Sequence, residues 1–98
     1  MIQKIPITDY HPQDNDILVD LRDRTVFSFG TLTGAVNIPM DAIEKLYTLP
    51  KDKRIVLFCQ KGDYSAEIAE LLSDNDYEVA DLTGGYRAWL CKIIPRKE

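Results

Sequence analysis

The chain has 98 residues, which is enough for one domain with one modest core, so we expect a single domain over residues 1–98. Its hydrophobic content of 45% is ordinary for a soluble protein, and no apolar run approaches the roughly 20 residues that cross a membrane. The net charge is −4 and the basic residues are scattered, so we expect no nucleic-acid partner and no membrane partner.

The cysteine and histidine content argues against a disulfide scaffold or a metal protein. The chain has two cysteines, Cys59 and Cys91, no C-x-x-C motif, and a single histidine, His11. The first residues lack the long apolar segment of a secretory leader. We therefore expect two reduced thiols in a cytoplasmic protein, with neither a metal nor an organic cofactor.

The first half of the chain contains short apolar runs separated by turn residues. Residues 17–21 form a mostly apolar run that predicts a buried strand. Residues 34–39 predict a turn, a very short strand and a stop. Residues 41–47 have apolar side chains at helical spacing, and Asp41 is a suitable N-cap for that helix.

The second half repeats this alternation with stronger signals. Residues 54–58 predict a strand, and residues 66–72 place their apolar side chains on one helix face. Residues 77–82 predict another strand. Gly84 and Gly85 predict a tight turn before a short final helix over residues 86–91.

Strands that alternate with helices and that are almost continuously hydrophobic indicate an α/β fold with a parallel sheet buried on both faces. In such sheets, ligands bind beyond the carboxyl ends of the strands. Asp20 and Cys59 each lie at the end of a predicted strand. This edge of the sheet is therefore the expected functional edge.

Cys59 stands out because of the short loop that follows it. The loop residues are Gln60, Lys61, Gly62, Asp63, Tyr64 and Ser65. A loop of this length before a helix can turn several backbone N–H groups toward one point, and the helix dipole favours an anion there. A sulfur held at that point would be the reactive thiolate, and Ser65 is a candidate N-cap for the helix.

Four motifs in this order resemble the single-domain rhodanese family of sulfurtransferases, over residues 17–90. They are Asp20-Leu21-Arg22, the segment from Gly30 to Pro39, Cys59-Gln60-Lys61-Gly62-Asp63-Tyr64-Ser65, and Gly84-Gly85-Tyr86-Arg87-Ala88-Trp89. The resemblance implies a three-layer domain with about five parallel strands and helices on both faces. It also implies sulfur transfer through a Cys59 persulfide, held by the backbone of residues 60–65.

The same resemblance implies a small-molecule sulfur donor, a thiol acceptor or a protein acceptor, and a monomer or weak dimer. Asp20 and Arg22 are expected to support the site, chiefly as a structural charge pair at the sheet end. Two positions depart from the family pattern, since Thr31 replaces its usual histidine and Tyr64 its usual loop arginine. Without that arginine, we expect a persulfide or polysulfide donor to suit the loop better than thiosulfate.

Other cysteine-based functions fit less well. A protein phosphatase needs an arginine six positions after its cysteine, where this chain has Ser65. A phosphocysteine carrier of sugar transport places its cysteine after the first strand, whereas Cys59 lies past the middle of the chain. A non-catalytic rhodanese-like module, which docks a protein partner or carries persulfide to it, remains the alternative.

Overall fold

The structure is a computed structural model and describes residues 2–94. The strands are β1 (Ile2–Pro6), β2 (Asp16–Asp20), β3 (Val36–Asn37), β4 (Arg54–Phe58) and β5 (Glu78–Thr83). The α-helices are α1 (Arg24–Phe29), α2 (Asp63–Asp74) and α3 (Gly85–Ile93), and 3₁₀ segments cover Ile7–Asp9 and Met40–Thr48. The predicted strands and the helices before and after β5 are therefore present, with ends shifted by up to three residues.

The five strands form one sheet in the order β1-β5-β4-β2-β3, and all paired strands are parallel. Strand β4 lies at the centre, and all five of its residues are buried. Because its side chains alternate, Ile55 and Leu57 enter one core cluster while Val56 and Phe58 enter the other. A strand buried on both faces explains why residues 54–58 read as a continuous apolar run.

Helices cover both faces of this sheet, which gives the expected three-layer α/β architecture. On one face, Ile68, Ala69 and Leu72 of α2 pack with Leu46 of the 3₁₀ segment. On the other face, Tyr86 of α3 packs with Ile7 and Leu32. Among residues 2–94, no helix is both long enough and apolar enough to span a bilayer.

Strand β1, helix α1 and the 3₁₀ segment Ile7–Asp9 were not predicted, and none of them has a strong sequence pattern. Strand β1 is an edge strand with no fully buried residue, and helix α1 also has no buried residue. Asp23 caps α1 by accepting a hydrogen bond from the backbone N–H of Val26 at 3.0 Å. An element that does not face the core carries no hydrophobic periodicity to detect.

Two predicted caps are wrong. Asp41 does not begin an α-helix, because residues 40–48 form a 3₁₀ segment preceded by Pro39, with non-helical backbone at Ala42. Asp41 instead forms an exposed ion pair with Arg24 at 2.8 Å. Ser65 is not the N-cap of α2, since Gly62 holds that position with a left-handed backbone (φ 99°). Glycine adopts this backbone at little steric cost.

Candidate active site around Cys59

The candidate site lies at the carboxyl edge of the sheet, directly after β4. Cys59 is only 4% exposed, and its sulfur faces the backbone of the loop that leads into α2. The N–H groups of Gly62 and Ser65 donate to Sγ at 3.2 Å and 3.3 Å. These two N–H groups lie at the start of the 12-residue helix α2. Together with the dipole of α2, they favour a negative charge on the sulfur.

The loop keeps its shape because α3 binds its carbonyl groups. The backbone N–H of Tyr86 donates to the Cys59 carbonyl at 2.8 Å, and that of Arg87 donates to the Gln60 carbonyl at 3.0 Å. These contacts use N–H groups that the first turn of a helix leaves unpaired. The start of α3 therefore holds the first half of the loop.

Gly85 is required for this close approach. A Cβ atom at this position would lie 2.5 Å from the Gln60 carbonyl oxygen, and its φ of +68° also disfavours a side chain. Sequence reasoning explained the glycine pair as a turn. The contact between Gly85 and the loop is a second constraint, which joins residues 25 positions apart and is invisible to local pattern.

Asp20 and Arg22 lie beside the loop and form a buried ion pair. The Arg22 guanidinium donates to Asp20 Oδ2 at 2.7 Å and to the Gly30 carbonyl at 2.6 Å. It also lies over the Tyr86 ring, 4.0 Å from the centroid. Thr31 donates its hydroxyl to Asp20 Oδ2 at 2.8 Å. These partners engage Arg22 and link α1, β2 and α3 below the site.

A cleft of about 350 Å³ opens above Cys59. Its apolar wall is formed by Leu21, Val26, Met40 and Tyr64, and its charged lining includes Lys61, Asp23 and Asp63. Met40 is 65% exposed at the rim. The cleft can therefore admit a small molecule or a projecting side chain, and it presents both signs of charge.

Tyr64 contributes an uncharged ring to this wall. Burial raises the pKa of Tyr64, and electrostatic interactions with Cys59 and Glu67 act in the same direction. The phenol therefore stays protonated at neutral pH. An anion bound in the cleft would face the uncharged hydroxyl of Tyr64. Lys61 is the exposed cation of the loop.

Ser65 has a hydrogen-bond partner that sequence reasoning did not identify. Its hydroxyl donates to Asp81 Oδ1 at 2.7 Å, while its backbone N–H donates to the Cys59 sulfur. The signal was present in the sequence, because Asp81 is a charged residue within the apolar segment of residues 79–82. Cys91 is exposed and both cysteines are free thiols.

Metal binding has no support in this geometry. Among residues 2–94, no three His, Cys, Asp or Glu side chains are grouped so that they could hold a metal ion.

Comparison with known proteins agrees with this description. The Rhodanese-like domain family matches residues 8–92. The human thiosulfate:glutathione sulfurtransferase is 33% identical over 91 residues, covering 76% of this chain and 79% of that protein. A sulfurtransferase from Allochromatium vinosum is 32% identical over 81 residues, covering 81% and 76%.

A solved structure shares the fold over nearly the whole chain. The rhodanese-related protein from Thermoplasma volcanium superposes with a TM-score of 0.84 at 28% identity, and the match covers 95% of each chain.

Proposed function

Because the chain belongs to the rhodanese-like domain family, whose matched relatives include sulfurtransferases, we propose that it transfers a sulfane sulfur through a persulfide on Cys59. The observation that carries this proposal is the pair of backbone N–H groups, from Gly62 and Ser65, that donate to the buried Cys59 sulfur. They stabilise an anion on sulfur without any acid or base side chain.

The reaction has two steps, and its electrons balance without an external oxidant. The Cys59 thiolate attacks the outer sulfur of the donor, so a new S–S bond forms while the bond to the rest of the donor breaks. The donor leaves as a thiolate, or as sulfite when it is thiosulfate. An acceptor thiolate then attacks the terminal sulfur, and Cys59 is released as a thiolate.

The backbone N–H groups that bind the Cys59 sulfur, which we call the cradle, suit both the thiolate and the persulfide form of Cys59. In the free enzyme, the backbone donors stabilise the thiolate, and after loading they can stabilise the terminal sulfur of the persulfide. Backbone groups are fixed in place by α2 and α3, so little reorganisation is needed during the reaction. Lys61 adds a positive charge at the mouth of the loop.

The preferred donor is a persulfide or polysulfide and not thiosulfate. Tyr64 supplies no charge, and Arg22, which also lines the cleft, is neutralised by its buried ion pair with Asp20. Asp23 and Asp63 place carboxylates around the same cleft as Lys61. These carboxylates repel thiosulfate, which carries two negative charges, more strongly than they repel a persulfide whose remaining atoms are apolar or neutral. The apolar wall of Leu21, Val26 and Met40 also favours a donor that buries carbon.

Steady-state kinetics tests this proposal. Wild type should turn over a low-molecular-weight persulfide with a higher kcat/KM than thiosulfate, with a thiol as acceptor, and Cys59→Ser should abolish both activities. Cys91→Ser is the matched control and should retain activity, since Cys91 is exposed. Equal or better turnover of thiosulfate would reject the donor preference, and activity in Cys59→Ser would reject the mechanism.

A docking module that delivers persulfide to a protein is the second candidate. It is favoured by apolar side chains exposed around the cleft, where Val26 is 38%, Met40 65% and Phe29 86% exposed. Exposed apolar groups at a site often mark a protein contact. If the protein loads sulfur on Cys59 but transfers it to neither cyanide nor small thiols, this second candidate is the better description.

A further inference from the structure

A chain of polar contacts runs from Lys4, whose side chain is 49% exposed at the edge of the sheet, through buried Asp81 to the start of α2. Lys4 of β1 donates to Asp81 Oδ2 at 2.8 Å, and the Ser65 hydroxyl donates to Asp81 Oδ1 at 2.7 Å. Asp81 is 1% exposed and Ser65 is fully buried. The chain therefore crosses three elements and ends on the residue whose N–H reaches the Cys59 sulfur.

Asp81 occupies a position that packing alone would fill with an apolar residue. It lies in β5 between Ala80 and Leu82, both fully buried. Removing a carboxylate from water is costly, and a well-packed apolar side chain would usually serve stability equally well. Both carboxylate oxygens of Asp81 accept hydrogen bonds, which offsets the cost of burying the charge. These bonds do not explain why the position holds a carboxylate and not an apolar side chain.

The connection to Cys59 supplies that explanation. Ser65 is the third residue of α2, so its backbone N–H has no partner within the helix and is free to donate to Sγ, at 3.3 Å. The Ser65 hydroxyl has one proton, and the contact to Asp81 at 2.7 Å is much shorter than the one to the Gly62 carbonyl at 3.3 Å, so the proton is directed at Asp81. An anchored hydroxyl fixes the orientation of the residue, and with it the direction of the N–H.

We infer that Asp81 is a positioning residue for Cys59, which acts through the Ser65 hydroxyl to keep the Ser65 N–H directed at the sulfur. Asp81 does not line the cleft above Cys59, so it acts at one remove from the substrate. The inference rests on the proposed function in one respect: Cys59 is the reacting group.

The rate at which iodoacetamide alkylates Cys59 tests this inference, in a Cys91→Ser background so that the exposed thiol does not contribute. Asp81→Ala and Ser65→Ala should each slow alkylation at neutral pH about tenfold, because each weakens one hydrogen bond to the reacting sulfur and a loss of roughly 1.4 kcal/mol is tenfold in rate. The double variant should be no slower than either single variant. Asp81→Asn keeps an oxygen acceptor for Ser65 and should react at close to the wild-type rate.

Asp16→Asn is the control for general destabilisation. It weakens a buried ion pair with Arg54 at the opposite end of the strands, so it should lower the melting temperature and leave alkylation unchanged. The inference is overturned if Asp81→Ala or Ser65→Ala alkylates at the wild-type rate, if the two single effects add in the double variant, or if Asp16→Asn slows alkylation equally. Alkylation does not require sulfur transfer, so these outcomes are independent of whether Cys59 carries sulfur.

Discussion

At the scale of single residues, the site is defined more by backbone groups than by side chains. The sulfur of Cys59 accepts from two backbone N–H groups, and the carbonyl groups of Cys59 and Gln60 accept from two more. In the proposed mechanism, side chains in the cleft select the sulfur donor without taking part in proton transfer. Substitutions should therefore separate into those that alter the donor preference and those that alter the loop.

Tyr64→Arg should change the donor preference. A guanidinium at this position would supply a bidentate partner for an anion beside Lys61, so we expect the KM for thiosulfate to fall about tenfold, as an added charge-assisted contact would give. The kcat/KM for a neutral-bodied persulfide should change little. Tyr47→Arg is the matched control, because Tyr47 is exposed and does not line the cleft. An unchanged KM for thiosulfate would show that residue 64 does not set the preference.

Gly85→Ala should disrupt the loop and destabilise the fold. The new Cβ would overlap the Gln60 carbonyl oxygen, so we expect a loss of about 3 kcal/mol in the free energy of unfolding, in the upper range for single substitutions. Activity should be lost even where the protein remains folded. The measurement is urea unfolding combined with a sulfur-transfer assay.

Gly34→Ala separates backbone strain from overlap. Gly34 also has a positive φ, of +87°, but a Cβ there would meet nothing within 4 Å. We expect a cost of about 1 kcal/mol, from strain alone, with activity retained. Equal effects at the two glycines would contradict a special role for the approach of Gly85 to the loop.

At the scale of secondary-structure elements, α2 packs against the core, and its first turn supplies the backbone N–H groups that bind the Cys59 sulfur. Leu72 is fully buried between α2 and the sheet, whereas the preceding Leu71 is 51% exposed. Leu72→Ala should lower the free energy of unfolding by about 3 kcal/mol, since it leaves a cavity. Leu71→Ala should change it by less than about 0.5 kcal/mol. Comparable losses in urea unfolding at both positions would contradict the packing of α2.

The longer elements that face the core could be predicted from the sequence, whereas helix α1 and the three-residue segment Ile7–Asp9, which contributes only Ile7 to the core, could not. The five residues of β4 were predicted with their bounds, because burial on both faces leaves a continuous apolar run. Helix α1 has no buried residue, so nothing in its pattern distinguished it from a loop. Apolar spacing over residues 41–47 indicated a helix, but spacing alone did not separate a 3₁₀ segment from an α-helix.

The site was predictable only in its local part. Cys59 and its loop are contiguous in sequence, so strand, loop and helix could be read together. The contacts of Gly85 with the loop and of Asp81 with Ser65 join distant segments, and they depend on which strands are neighbours. That order follows from tertiary packing, which sequence pattern alone does not determine.

At the scale of the whole molecule, the two ends of the sheet differ in the groups that they carry. The carboxyl end carries the cleft and Cys59, while the amino end is fixed by polar contacts around Arg54. Its guanidinium donates to both oxygens of Asp16, at 2.7 Å and 2.8 Å, and Tyr10 donates to the same carboxylate at 2.8 Å. This network links β2 to β4 at the end of the sheet opposite Cys59.

The network should make stability depend on acid pH. Burial of Asp16 opposes its ionisation, but hydrogen bonds from Arg54 and Tyr10 outweigh burial and hold the pKa of the carboxyl below its usual value. A lowered pKa adds stability that is present above the unfolded value, about 3.9, and is lost as the pH falls through the folded value. Between pH 6 and pH 3, wild type should therefore lose more stability than Asp16→Asn. Parallel losses in urea unfolding would contradict this.

Intact-protein mass spectrometry tests the central claim, that Cys59 carries the transferred sulfur, most directly. Reduced wild type, Cys91→Ser and Cys59→Ser would each be incubated with a persulfide donor, desalted and weighed. We expect a gain of one sulfur atom in wild type and in Cys91→Ser, its removal by a thiol, and no gain in Cys59→Ser. A folded, reduced wild type that gains no sulfur, or a Cys59→Ser variant that does, would contradict the claim.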